Sequence, residues 1–133
     1  MSWDISVLKA PAEIKSVEQF PADFVLEKLG PRNQLITQIL GVLPETDFSD
    51  PTWGIYSGSG FSLEFNMGND EISDGFMIHV RGGGDAPLAI QKVLTSLNLR
   101  AIDCSTGEFF TLEESSETFK QWQAFRDKVI GRE

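Results

Sequence analysis

The chain has one cysteine and one histidine among its 133 residues, eleven basic residues against twenty acidic ones, and no long apolar run. Each shortage removes a class of protein. A lone Cys104 excludes an internal disulfide framework and the usual multi-cysteine zinc sites. No stretch approaches the ~20 apolar residues that a membrane-spanning helix needs. The opening Met1-Ser2-Trp3-Asp4 has no basic segment followed by an apolar one, so no secretory signal is expected. Together these points predict a cytoplasmic protein. The shortage of lysine and arginine leaves a net charge of −9. Nucleic-acid binding draws much of its affinity from cationic groups that release phosphate counterions, and anionic membranes favour the same cations. Neither is an expected partner. A basic protein is, because an acidic surface raises its rate of association with a cationic one; the plainer reading of the charge is solubility.

What is present points to a packed core. Hydrophobic residues make up 41% of the chain, and the aromatics are ten Phe, three Trp and one Tyr. Disorder needs low hydrophobicity with high charge, which this is not. The length fits one domain, 1–133, with a single core.

Periodicity divides the chain. Ile5 and Val7 alternate with Asp4 and Ser6 in a short strand. Ile14, Val17 and Phe20 lie between Pro11 and Pro21 and predict a helical turn or two. Pro31 opens a helix carrying Leu35, Ile36, Ile39 and Leu40, which Gly41 and Pro44 are expected to stop. Gly54-Ile55-Tyr56, the turn 57–60 and the alternating Phe61, Leu63, Phe65 and Met67 predict a hairpin. A strand follows at 76–81. Asp85 is placed to cap a helix with Pro87 in its first turn, and Ile90, Val93, Leu94 and Leu97 form one face. Residues 100–104 and 108–112 predict strands. Thr111-Leu112-Glu113-Glu114 matches a capping box, with Ser115 or Ser116 as equal alternatives for the cap, for a last helix lined by Phe119, Trp122, Phe125 and Val129 and ended by Gly131. Short connections force antiparallel pairing. The expected fold is therefore α+β: a mainly antiparallel sheet of about five to six strands, with three helices packed against it.

Candidate chemistry is sparse. Gly82-Gly83-Gly84-Asp85 joins a strand to a helix, where backbone N–H groups could hold an anion. It matches neither the dinucleotide fingerprint nor the P-loop, and Asp85 would compete for the same amides. A tight turn needing left-handed glycine is the favoured reading. His79 shares side-chain parity with Met77 and Arg81, opposite to Phe76, Ile78 and Val80, and so points away from the apolar face. A Cys104–His79–Asp103 set can be imagined, but nothing in the sequence joins the three. A buried structural Cys104 and an exposed or hydrogen-bonded His79 are expected instead. Asp70, Glu71 and Asp74 lack the EF-hand spacing; with Glu45, Asp47 and Asp50 they predict a negative surface. No catalytic residue, metal or cofactor is expected.

Trp3-Asp4-Ile5, Gly60-Phe61-Ser62-Leu63-Glu64-Phe65-Asn66, His79-Val80-Arg81-Gly82-Gly83-Gly84-Asp85 and Asp103-Cys104-Ser105-Thr106-Gly107-Glu108 resemble segments of small bacterial proteins similar to the immunity proteins encoded beside secreted polymorphic toxins. The resemblance rests on turns and strands, and it implies a cytoplasmic protein that neutralises a toxin domain. It carries over no functional residue.

Two classes of function stay open. One is a non-catalytic acidic binding protein that docks on a cationic domain such as a nuclease toxin. Its contacts are expected at Glu45, Asp47, Asp50, Asp70, Glu71 and Asp74, with Trp53 as an apolar anchor. The other is a small-molecule or anion-binding enzyme or sensor using the turn from Gly82 to Asp85. The single histidine and the missing nucleophile–base spacing count against it.

Overall fold

A computed structural model describes residues 2–129. Alternation becomes strand at Trp3–Leu8 (β1), Trp53–Ser57 (β3), Phe61–Asn66 (β4), Phe76–Gly82 (β6) and Arg100–Asp103 (β7), with a two-residue β8 at Glu108–Phe109. These pair in the order β3-β4-β6-β1-β7-β8, every neighbour antiparallel. Two short strands, β2 (Gly30–Pro31) and β5 (Ile72–Ser73), form a separate clip. Helices α1 (Arg32–Val42), α2 (Ala86–Leu97) and α3 (Leu112–Val129) complete an α+β fold. Among the described residues, no helix is long and apolar enough to cross a membrane.

Register explains the core. Ile5 pairs with Ile78, Ile78 with Phe65, and Leu63 with Val80, so their side chains share one face of the sheet. All five are fully buried, together with Leu35 and Ile39 of α1, Ile90 and Val93 of α2 and Phe119 of α3. Trp3 stacks on Phe119 at 4.8 Å between ring centroids, and Phe119 on the half-buried Trp122 at 5.7 Å. Phe61 reaches the margin of this core. The helices therefore cover one face only, and the other face carries Glu64, Asn66, Met77, His79, Asp4, Ser6 and Ile102.

The helix ends follow local chemistry. α2 has proline in its first turn and stops at Asn98 in the left-handed conformation (φ 53°), whose N–H reaches the carbonyls of Leu94 and Thr95. Asp85 sits at the cap position, but its side chain makes no capping bond. Thr111 does cap α3: its Oγ1 accepts from the Glu114 N–H at 3.3 Å. The return bond comes from an unexpected residue, because the Thr111 N–H donates to Ser115 Oγ rather than to a glutamate.

Three expectations are corrected. α1 runs through Gly41 to Val42, since an exposed helical glycine with open space around it weakens a helix without breaking it. The strand expected over 108–112 ends at Phe109, because Thr111 already begins the cap of α3. The apolar stripe on α3 is only half used: Phe119 is buried, whereas Phe125 and Val129 are 59% and 55% exposed. Gly131 lies outside the described residues.

The turn from Gly82 to Gly84 is architectural. Gly82 and Gly84 have φ of +88° and +61°, the region where a Cβ is penalised. A Cβ on Gly82 would stand 2.5 Å from the Gly60 carbonyl oxygen, and one on Gly84 would stand 2.5 Å from that of Ser59. Backbone packs directly on backbone here. The Gly83 N–H donates to the Gly60 carbonyl at 2.7 Å, and the Gly82 carbonyl accepts from Arg126 at 2.8 Å.

Candidate functional site

The two acidic loops meet at one end of the sheet. Loop 44–52 enters β3, and the connection 67–75, which contains β5, leaves β4; where they pass, the Met67 N–H donates to the Thr52 carbonyl at 2.9 Å. Arg32, at the start of α1, ties the second loop down: its backbone N–H donates to the Glu71 carbonyl at 2.8 Å and its Nη1 to the Gly68 carbonyl at 2.9 Å. Glu45, Asp47, Asp50, Asp70, Glu71 and Asp74 are all exposed there. Lys28 reaches Asp74 at 3.4 Å, a loose ion pair between exposed groups.

Two of these carboxylates also shape their own loop. Asp47 accepts from the Ser49 N–H at 2.8 Å and from its hydroxyl at 2.5 Å. Asp50 accepts from the Thr52 N–H at 2.9 Å and from its hydroxyl at 2.7 Å. Each is an Asx turn, in which a short side chain replaces a backbone acceptor. The hydroxyl bond from Ser49, then its amide, holds the Asp47 carboxyl below the usual range. The Thr52 hydroxyl and amide do the same for Asp50, with a smaller contribution from the Arg32 charge. The backbone of Asp47 also bridges Ile55 in both directions, at 2.8 and 3.0 Å, and so covers the free edge of β3.

Trp53 is not the free anchor that its place beside the loop suggests. Its ring lies over His79 at 5.6 Å between centroids and 18° from parallel. His79 Nδ1 in turn lies 2.8 Å from Asp4 Oδ1, which also accepts from the Ser2 hydroxyl at 2.7 Å. Arg81 donates to Glu64 at 2.6 Å beside them. The open face is thus a polar lattice with one aromatic edge, and Trp53 remains half-buried at its rim.

The imagined Cys-His-Asp set is taken apart by the register. Asp103 pairs with Ile5 and lies on the helix side, where its buried carboxylate accepts from the Trp3 indole at 3.1 Å and from the Ser105 amide and hydroxyl at 2.9 and 2.6 Å. Cys104 is exposed, not buried as expected, because it begins the turn just past β7. Partial shielding of its thiol, then the nearby charges of Asp4 and Asp103, push that thiol up, away from the reactive thiolate. Among the described residues, no group of three or more His, Cys, Asp or Glu is arranged to hold a metal.

The sequence reading missed the open-face partners. Alternation sets Asp4, Glu64, Asn66 and Met77 opposite the buried positions but gives them no partners, and it does not single out Ile102. The same alternation that found Leu63 and Phe65 signals Glu64 and Asn66 between them. What alternation cannot give is that β1 lies between β6 and β7, which brings Asp4 to His79 across 75 residues of sequence. Compared with known proteins, the chain matches no family model, no curated protein and no solved structure.

Proposed function

We propose that the protein is a non-catalytic, acidic inhibitor of the immunity type, which neutralises a cationic toxin domain by docking the end of the sheet that carries loops 44–52 and 67–75. The observation that carries this reading is the meeting of the two loops, separated in sequence by β3 and β4 but joined by the Met67–Thr52 backbone bond, with Arg32 holding the second loop in place. Six carboxylates on two loops act as one field when they share a surface, and that field reaches a partner over about 8–10 Å at physiological salt. A nuclease domain, whose substrate path must be cationic to hold phosphate, fits this chemistry. Trp53, half-buried at the rim and held flat by His79, supplies an aromatic contact of the kind that dominates interface energetics. The tethering of both loops lowers the ordering cost of binding. The rival reading, a ligand on the turn from Gly82 to Asp85, has less support, since the Gly83 amide is already used by Gly60.

The test replaces Glu45, Asp47, Asp50, Asp70, Glu71 and Asp74 by Gln or Asn and measures association with the toxin domain of the neighbouring reading frame across a salt series. Asn keeps the acceptor oxygen that the turns at Asp47 and Asp50 need, so the loops retain their shape. The on-rate at low salt should fall by roughly 10-fold or more, and the salt slope should flatten. An unchanged on-rate removes the electrostatic argument, and wild-type protein that neither binds nor protects removes the inhibitor reading.

A further inference from the structure

Next to the acidic end, the open face of the sheet holds a groove of about 450 Å³. Its floor is one cross-strand row. Asn66 pairs with Met77, Met77 with Ser6, and Ser6 with Ile102, so four side chains from β4, β6, β1 and β7 stand side by side. The row begins at Trp53, which pairs with Asn66. One wall is Leu26, from the segment 9–29 that crosses the sheet; the other is Gly68, Asp74 and Gly75 of the second acidic loop. The groove therefore has a mixed floor with two long apolar side chains, and a carboxylate on its rim.

We propose that this groove seats an extended basic segment of the protein partner, in which at least one lysine or arginine lays its aliphatic stem along Met77 and Ile102 and carries its cation to Asp74. The proposal rests on the inhibitor reading above and says where a partner chain enters. Three observations favour a basic occupant over an acidic or purely apolar one. Asp74 lies on the rim itself, with Glu71 and Asp70 just before it in the loop. Its present counter-ion, Lys28, is held at only 3.4 Å and is itself exposed, so exchanging it for a partner cation breaks little. The floor alternates polar and apolar, Asn66 and Ser6 with Met77 and Ile102, which suits a long side chain with an apolar stem and a charged head. Strands lie ~4.8 Å apart, so the row from Asn66 to Ile102 measures about 14 Å, the length of roughly four extended residues.

The experiment uses isotope-labelled full-length protein and three synthetic heptapeptides: alternating Lys/Leu, alternating Lys/Ser and alternating Glu/Leu. The Lys/Leu peptide should shift the methyl signals of Met77, Ile102 and Leu26, bind at least ~10-fold tighter than the Glu/Leu peptide, and lose ~3-fold or more in affinity in Asp74→Asn. Ser6→Phe, which fills the centre of the floor, should abolish the Met77 shift while leaving any loop binding of the Lys/Ser peptide unchanged. The wild-type methyl map decides the matter even if that variant fails to fold. Shifts confined to the two loops, with equal affinity for the Lys/Leu and Lys/Ser peptides, would overturn the groove and leave the acidic-end reading standing. Equal affinity for the Lys/Leu and Glu/Leu peptides would overturn the basic occupant, and no methyl shift with any peptide would overturn the site. The inhibitor reading is tested separately by the toxin itself, whose binding to the wild type can persist when Ser6→Phe has no effect on it.

Discussion

Leu63 and Ile55 lie on adjacent strands of one hairpin, and comparing their truncation measures which face of the sheet is the core. Leu63 is fully buried between Tyr56 and Val80 on the helix face; Ile55 pairs with Glu64 on the open face and is 45% exposed. Leu63→Ala removes three carbons, worth about 0.8 kcal/mol each in transfer energy, or roughly 2.4 kcal/mol. A cavity closed in by α2 and the neighbouring strands adds to this, placing the total at about 3–4 kcal/mol within the usual range for such changes. Ile55→Ala loses only part of its burial plus some strand propensity, about 1 kcal/mol. Urea unfolding monitored by tryptophan fluorescence and by circular dichroism gives both numbers. The midpoint should move about three times as far for Leu63→Ala, with the slope unchanged if the denatured state is unaffected. By heat, about 10 °C should separate Leu63→Ala from the wild type, and about 3 °C should separate Ile55→Ala from it. A one-residue slip of the hairpin would exchange the two faces. Equal costs, or a larger cost for Ile55→Ala, would therefore refute the register and with it the location of the groove.

Other outcomes follow from the same geometry. Gly82→Ala should destabilise the fold by about 2 kcal/mol or more, because the added Cβ meets the Gly60 backbone at 2.5 Å at a φ of +88°, whereas Gly41→Ala, with nothing within 4 Å, should stabilise it by about 0.5–1 kcal/mol; equal melting temperatures for the two would contradict the turn. The Asp47 and Asp50 carboxyls should titrate below ordinary aspartates by NMR, and Ser49→Ala or Thr52→Ala should move the corresponding one upward. A carboxyl lowered in the folded state adds stability that is complete above its unfolded value and is lost as pH falls through its folded one, so each variant should be slightly less stable than the wild type at neutral pH, converge with it in acid, and show a shallower loss of stability as pH falls. Cys104, though exposed, should alkylate more slowly at neutral pH than a free thiol, and faster in Asp4→Asn; a rate above the free thiol's would show that its surroundings favour the thiolate.

The fold was legible where the signal is local. Alternation at Phe61, Leu63 and Phe65 marks β4 and its buried face, and the spacing of Ile90, Val93 and Leu94 marks α2. The left-handed glycines at Gly82 and Gly84 follow from a strand that must turn sharply into a helix. Long-range order was not legible. Nothing near Trp3–Leu8 says that β1 enters between β6 and β7, and the β2–β5 clip is too short for any periodicity. Phe125 and Val129 obey helical spacing yet remain exposed; spacing gives a face, not what covers it. For the candidate site, the six carboxylates were readable as acidic loops, but their meeting was not. It depends on Arg32, a residue with no motif, and on one backbone bond between Met67 and Thr52.

The way the open face is shared explains why a groove exists at all. A sheet with helices on one side must still shield or solvate the other. Over β7 and β8 the shield is segment 9–29. Arg100 donates to the carbonyls of Pro11 and Ile14 at 2.6 and 2.7 Å and lies 3.7 Å over the Phe109 ring, against which Phe20 packs. Over β4 and β6 the solution is different: Glu64 with Arg81, and Asp4 with His79 under Trp53, make the surface compatible with water. Neither solution extends to Met77 and Ile102, which lie between the covered and the charged halves and line the groove. A pair of apolar side chains left at the seam of a strap and a polar lattice, with Asp74 beside them, is where a partner's side chain gains burial without displacing a pinned segment or breaking an ion pair stronger than that of Lys28.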